Sequence, residues 1–250
     1  MPEPKVVTAC VLLIGDEILS GRTQDANLAF LAQALGQAGI RVVEARVIPD
    51  REDAIVRAVN ACRSQVDYVF TTGGIGPTHD DITAAAIARA FGLPLHRHAE
   101  AMRRLQRQYD PADLNPARLR MADMPLGAEL IDNPVSQAPG FRIGNVFVLP
   151  GVPRILQAMV GGLLARLEGG RPLLTRTVAA FATEGSIAEA LATVQAHHPE
   201  VSIGSYPFVR DNRLGTALVA RSTDPLRLDA AVTDIAIIVR AIGVEPVVEP

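Results

Sequence analysis

Val6-Val7-Thr8-Ala9-Cys10-Val11-Leu12-Leu13-Ile14-Gly15-Asp16-Glu17 is an apolar run of strand length, stopped by a glycine and followed by two carboxylates. An unbroken run, unlike an alternating one, is what a strand buried on both faces requires. Outward from it, helix and strand patterns take turns. Residues 25–39 carry Leu28, Leu31, Ala32 and Leu35 at helical spacing and close on Gly36 and Gly39. Residues 41–48 are β-branched and apolar and stop at Pro49. Residues 51–63 set Ile55, Val56, Val59 and Cys62 on one side of a helix, and residues 67–72 make a third short strand. Gly73-Gly74-Ile75-Gly76-Pro77-Thr78-His79-Asp80-Asp81 comes next, then a helical stretch over 82–91 that ends at Gly92. Strands alternating with helices imply right-handed crossovers and a parallel sheet, which makes this an α/β domain.

Composition agrees. Of the 250 residues 48% are hydrophobic but only 4% aromatic, with no Trp, so the core is expected to be built from Val, Leu, Ile and Ala, as in a parallel sheet covered by helices. The net charge is −3 and the basic residues are spread along the chain, which argues against a nucleic-acid partner held by a basic patch. No apolar run approaches the roughly 18 residues of a membrane span, so no membrane partner is expected. The start, Met1-Pro2-Glu3-Pro4-Lys5, is too polar for a signal peptide, and a reducing, cytoplasmic setting is the expectation. Cys10 and Cys62 lack metal-ligand spacing and read as two buried thiols.

Beyond Pro94 the pattern loosens. Residues 98–109 and 112–121 look helical, residues 133–141 read as a loop, and residues 146–149 read as a strand followed by Pro150-Gly151-Val152-Pro153 and a helix to about residue 167. Glu168-Gly169-Gly170-Arg171-Pro172 is the best linker candidate, which gives an α/β domain over 1–168 and a second domain over 169–250. After it come strand 175–181, helix 186–197, strands 201–206 and 213–220 around the turn Arg210-Asp211-Asn212, and helix 226–242. This βαββα order predicts a small α+β domain.

Two loops carry the chemistry. If the sheet has the doubly wound order 2-1-3, the loops after strands 1 and 3 meet at one crevice at the strands' carboxyl ends. Gly73, Gly74 and Gly76 let backbone N–H groups approach an anion, and the helix that starts near Asp81 aims its positive end there. The loop is not a P-loop, since no Gly-Lys-Ser/Thr follows, and His79 stands where the dinucleotide fingerprint needs its third glycine. Gly15, Asp16, Gly73, Gly74, Gly76 and Thr78 are therefore the candidate ligand-binding residues for a small phosphorylated ligand. The carboxylates would repel bare phosphate, and a divalent metal (Mg²⁺, Mn²⁺ or Co²⁺) held by Asp16, Glu17 and Asp80 resolves that conflict. Asp80 and Asp81 are the candidate catalytic residues, one serving as general base. Asp81 can also be read as a helix N-cap, and Asp16 and Glu17 as acids complementing a helix start. His96 and His98 would share one strand face, and His197-His198 reads as a helix end. Arg118 and Arg120 are read either as an anion clamp or as surface charges. Arg154, a cation at a helix start, is a candidate for ligand contact.

Gly15-Asp16-Glu17-Ile18-Leu19-Ser20-Gly21, Asp25-x-Asn27 and Thr72-Gly73-Gly74-Ile75-Gly76-Pro77-Thr78-His79-Asp80-Asp81-x-Thr83 together resemble the molybdopterin-binding (MoaB/MogA-like) domain. The branch resembled most is the CinA-type N-terminal domain, whose Asn133-Pro134-Val135-Ser136-Gln137-Ala138-Pro139-Gly140-Phe141 and Pro150-Gly151-Val152-Pro153 segments also match. Residues 5–168 carry this likeness. The tail with Gly204-Ser205-Tyr206-Pro207 is similar to the region that follows the domain in CinA-type proteins and in animal FAD synthases. The resemblance implies a three-layer α/β sandwich and a homo-oligomer. It also implies metal-dependent hydrolysis of a nucleotide pyrophosphate, ADP-ribose or FAD, with release of AMP. The MoaB/MogA side of the family implies the alternative: a non-catalytic protein that binds molybdopterin or a nucleotide, linked to molybdenum cofactor metabolism. Two departures stand out: Ile155-Leu156 where many relatives carry Glu-Met, which favours the alternative, and Ser136-Gln137 where Gly-Thr is usual. The amidase domain of full-length CinA does not follow within these residues, so its deamidase activity is not carried over.

Overall fold

The structure, a computed structural model, describes residues 6–249; the polar start Met1-Pro2-Glu3-Pro4-Lys5 lies outside the described residues. The chain divides into two compact units, Met1–Arg171 and Pro172–Pro250.

The first unit runs β1 (Val7–Ile14), α1 (Asp16–Leu19), α2 (Asn27–Gln37), β2 (Ile40–Ile48), α3 (Glu52–Arg63), β3 (Tyr68–Thr72) and α4 (Thr83–Phe91). It continues with β4 (Leu95–Arg97), α5 (Ala99–Gln108), α6 (Pro116–Leu119), β5 (Asp123–Pro125), β6 (Glu129–Ile131), β7 (Gly140–Ile143), β8 (Val146–Leu149) and α7 (Pro153–Leu164). Six strands form one sheet of order β2-β1-β3-β8-β7-β6, parallel from β2 to β8 and antiparallel across β7 and β6. The 2-1-3 order expected of the first three strands is present. β1 shows why its apolar run is continuous. Cys10, Leu12 and Ile14 enter the layer under α3, α4 and α5, while Ala9, Val11 and Leu13 enter the layer under α2 and α7. Both faces of the sheet are covered, and the fold is a helix–sheet–helix sandwich.

Three expectations change. Residues 112–121 are not one helix: only α6 and a 3-10 turn over Arg120–Ala122 form there. Pro116 disfavours a helical residue before it, and Asn115 instead caps α6 by accepting the Arg118 N–H at 3.0 Å. Residues 133–141 are a loop only up to Pro139, since Gly140 and Phe141 pair with β6 in β7. Helix α7 stops at Leu164, short of residue 167.

The second unit contains β9 (Leu174–Ala180), α8 (Glu184–His197), β10 (Ser202–Arg210), β11 (Arg213–Ser222), α9 (Pro225–Ala241) and β12 (Val247–Glu249). The βαββα order holds through α9, and the further strand β12 pairs with β9. The antiparallel sheet has order β10-β11-β9-β12. Asp211 and Asn212, at φ 51° and 57°, make the tight β10–β11 turn. Val178, Ala180, Leu218 and Ala220 pack beneath Ile187, Leu228, Ile235 and Val239 of α8 and α9.

Candidate functional site

Four loops meet at the carboxyl ends of the parallel strands, where β1 lies between β2 and β3 and the strand order reverses. The Gly15 N–H donates to the Ile48 carbonyl at 3.1 Å, and the Asp16 N–H donates to Asp50 Oδ2 at 2.8 Å, which joins the ends of β1 and β2. The Gly73 N–H donates to the Leu149 carbonyl at 3.1 Å, which joins the ends of β3 and β8. A β-carbon on Gly151 would lie 3.3 Å from the Gly73 Cα, so the Pro-Gly-Val-Pro turn touches the glycine loop. The Asn27 side chain donates to the Gly151 carbonyl at 2.8 Å from the buried first turn of α2. Asp25 sets that turn by accepting the N–H groups of Asn27 and Leu28. The Asn27 Oδ1 is buried and has no hydrogen-bond partner among the described residues.

The glycine loop is fixed by its own backbone. Gly73 and Gly74 have φ of +103° and +66°, and a β-carbon on either would come within 2.2 Å of the Ile14 carbonyl oxygen or of Thr83 Oγ1, respectively. Thr83 is fully buried; its hydroxyl donates to the Gly73 carbonyl at 3.0 Å and its N–H to the Gly74 carbonyl at 2.9 Å. The start of α4 is thus tied to the loop that its positive end faces. Arg120 pins the far side, donating to the carbonyls of Pro77 at 2.8 Å and Thr78 at 3.2 Å. Of the two readings of Arg120, the structure gives neither a free clamp nor a plain surface charge, but a brace for the loop.

The acidic residues divide into two groups. Asp80 and Asp81 flank Thr78: its hydroxyl lies against Asp80 Oδ1 and Asp81 Oδ2, and its N–H donates to Asp81 Oδ2 at 2.7 Å. That hydroxyl hydrogen bond is the main reason the Asp80 carboxyl is held below the ordinary range. Asp81 is not the N-cap of α4; Ile82 occupies that position without a side-chain cap. The His79 side chain points into solvent. In the second group the Glu17 carboxylate folds back over Gly15, where a β-carbon would meet both its oxygens at 2.5 Å.

Between these groups stands Asp50, which the sequence analysis did not single out. Burial pushes its carboxyl above the ordinary range, the Asp16 N–H pulls it down, and the charges of Glu17, Asp16 and Asp80 push it up again. Asp50 therefore feels all three residues expected to hold a metal. Their carboxylates do not converge on one point. Among the described residues, the trio of such donors found within 4.8 Å of one another is Cys10, Glu44 and Cys62.

The remaining candidates lie elsewhere. His98 is not on the β4 face with His96; it caps α5, its Nδ1 accepting the Ala101 N–H at 3.3 Å, with the two rings 6.0 Å apart. His198 pairs with Asp234 at 2.8 Å in the second unit. The Arg118 guanidinium lies over the Tyr109 ring. Arg154 is exposed on the first turn of α7, and Ile155 beside it packs into the apolar layer under α2 and α7. Asn133 organises its loop by accepting the N–H groups of Val135 and Ser136 and donating to Ser136 Oγ and the Ala138 carbonyl.

Comparison with known proteins shows which families the two units match. The family described as "Probable molybdopterin binding domain" matches residues 10–169, and the one described as "FAD synthase, middle domain" matches residues 172–245. A "CinA-like protein" of Citrifermentans bemidjiense is 42% identical over 192 residues, 72% of this chain and 46% of the relative. A "Probable FAD synthase" of Caenorhabditis briggsae is 30% identical over 257 residues, 92% of this chain and 49% of the relative. The chain thus spans about half the length of these two relatives. Among solved structures, the protein CinA of Thermoplasma acidophilum, described as of unknown function, is 36% identical with a TM-score of 0.61, covering 64% of this chain and 96% of that one.

Proposed function

The chain belongs to the molybdopterin-binding domain family, joined to a region of the FAD synthase middle-domain type, and from that premise we propose that it hydrolyses a nucleotide pyrophosphate such as ADP-ribose or FAD in a metal-dependent reaction that releases AMP. One observation carries the reading: Asp50, half-buried and pushed toward its neutral form, lies in the combined field of Asp16, Glu17 and Asp80 beside a glycine loop suited to phosphate. Carboxylates around a phosphate cradle repel the ligand's phosphates unless a cation comes between them.

The donor set fits such an ion. It is entirely oxygen, which suits Mg²⁺ or Mn²⁺, and these ions take one or two carboxylates and fill the rest of their sphere with water and substrate phosphate, so Asp16, Glu17 and Asp80 need not converge. When bound, the ion supplies Lewis-acid polarisation of a phosphoryl oxygen. The chain's own residues do the rest. Backbone N–H groups of Gly74 and Gly76 and the start of α4 receive the phosphate, whereas the Gly73 N–H, also expected to do so, is taken by the Leu149 carbonyl. Thr78 orients Asp80 and Asp81, one of which takes the proton of the attacking water as the P–O–P bridge breaks. Homo-oligomerisation and a cytoplasmic setting belong to the same proposal. Within the described residues no helix is long and apolar enough to cross a membrane.

The second reading, binding of molybdopterin or a nucleotide without turnover, is favoured by Ile155, which packs into the core and offers no carboxylate at the Pro-Gly-Val-Pro turn. Incubation with ADP-ribose or FAD and a divalent metal, followed by chromatography for AMP, separates the two. The first reading expects AMP; the second expects a ligand-dependent rise in Tm without product.

A further inference from the structure

The chain contains two cysteines, and they meet. Cys10 on β1 and Cys62 on α3 are 52 residues apart in sequence, yet their sulfurs lie 2.9 Å apart, and both side chains are fully buried. Two polar groups of the edge strand β2, each about a third exposed, stand beside this apolar layer. β1 and β2 shift register between Ala9 and Cys10, so that Ala9 faces Val42 and Cys10 faces Glu44, leaving Val43 as the bulged extra residue. Such a bulge re-aims the side chains that follow it, and here it sets Glu44 over Cys10 on the α3 side of the sheet. Arg46 Nε donates to Glu44 Oε1 at 2.7 Å, and its charge also acts on both thiols. Two cysteines used only as small apolar fillers would need neither group nor an interrupted ladder.

We propose that Cys10 and Cys62 are an oxidisable dithiol, a modification site whose disulfide ties β1 to α3. A disulfide needs sulfurs about 2.05 Å apart, so these would close by about 0.9 Å. A low-molecular-weight disulfide is the oxidant. One thiol loses its proton and attacks the reagent, expelling one reagent thiol and forming a mixed disulfide; the second thiol then attacks that bond and expels the other. Two S–H bonds break, one S–S bond forms, and the reagent leaves as two thiols. Burial, then the neighbouring thiol and the Glu44 charge, hold Cys10 protonated against the weaker pull of Arg46, so the reaction is slow and follows opening of this layer. A zinc ion is a poorer occupant. It wants four donors with sulfurs roughly 3.8 Å apart, whereas three donors are gathered here and one of them, Glu44, is already bonded to Arg46.

The test uses the full chain, reduced and then exposed to oxidised glutathione, with intact mass, maleimide counting of thiols after denaturation, and a thermal melt. The expected result is loss of both thiols, a mass lower by two hydrogens with no retained glutathione, and a Tm raised by roughly 5–15 °C, all reversed by reductant. Cys10→Ser and Cys62→Ala should abolish the rise. Two free thiols after oxidation in mild denaturant, or stoichiometric zinc in the reduced protein that disappears in both variants, would overturn the proposal. None of these readouts depends on AMP release, so this inference and the hydrolase reading fail separately.

Discussion

The Asp50 carboxylate accepts the backbone N–H of Asp16 at 2.8 Å, so the loop after β2 holds the loop after β1. This bond places a half-buried acid at the centre of the crevice, where Asp16, Glu17 and Asp80 all act on it. Burial is the first reason its carboxyl is raised, and a perturbed acid beside a glycine loop is what a ligand site presents.

Asp50→Asn is the direct consequence. The amide keeps the shape and can still accept the Asp16 N–H, but it removes a charge that burial and its neighbours disfavour. Activity is expected to fall, because the crevice loses a charge that a bound cation would use, while Tm stays level or rises. A parallel loss of Tm would show that Asp50 is structural.

Gly74→Ala tests the loop geometry. A β-carbon there would be 2.2 Å from Thr83 Oγ1 on a backbone with φ +66°, whereas Gly92, at φ +64°, faces open space. Gly92→Ala should cost about 1 kcal/mol from backbone conformation alone, and Gly74→Ala about 2 kcal/mol beyond that, because Thr83 must also release its bond to Gly73. Urea denaturation of the two variants side by side measures the difference; equal costs would contradict the tight packing of Gly74 on Thr83.

His98 gives the first unit a pH dependence. Burial pushes its imidazole below the ordinary value of 6.5, His96, Arg103 and Arg104 act in the same direction, and Glu100 opposes them. The neutral ring caps α5 through Nδ1, which a protonated ring cannot do. A lowered value in the folded state means that the contribution is complete above the unfolded value and is lost as pH falls through the folded one. Tm should therefore drop on acidification below about pH 6.5, by the equivalent of about 1 kcal/mol for a lost cap. His98→Asn, which caps at any pH, should flatten that part of the profile. An unchanged slope in His98→Asn would show that other groups set it.

Much of this architecture can be read from the chain, for physical reasons. β1 is buried on both faces, so its apolar run is long, and Gly73 and Gly74 after β3 mark where the backbone turns with positive φ. The rest of the sheet is less visible. β6 and β7 have three and four residues, too few for a period-2 signature, and Pro139-Gly140 obscures where β7 begins. β12 is three residues behind Pro246 and pairs only with β9. In the site, the glycine loop and its acids stand out in the sequence because glycine and aspartate cluster there. Asp50 does not, because it follows Pro49 alone, and only the 2-1-3 strand order carries it to the loops after β1 and β3. That order also meant that the loop after β2 would reach the crevice, a signal available in the sequence. The meeting of Cys10 and Cys62 was not available, since strand and helix patterns give the faces of elements but not which residues touch across 52 positions.

The most direct test of the central claim is AMP release from ADP-ribose and from FAD, each with Mg²⁺, Mn²⁺ or Co²⁺, by the purified chain and by Asp80→Asn. Hydrolysis at this site predicts AMP that requires the metal and disappears in Asp80→Asn while the melting curve is unchanged. Folded protein that forms no AMP from either substrate with any of the three metals, or an Asp80→Asn variant as active as the parent, would contradict it.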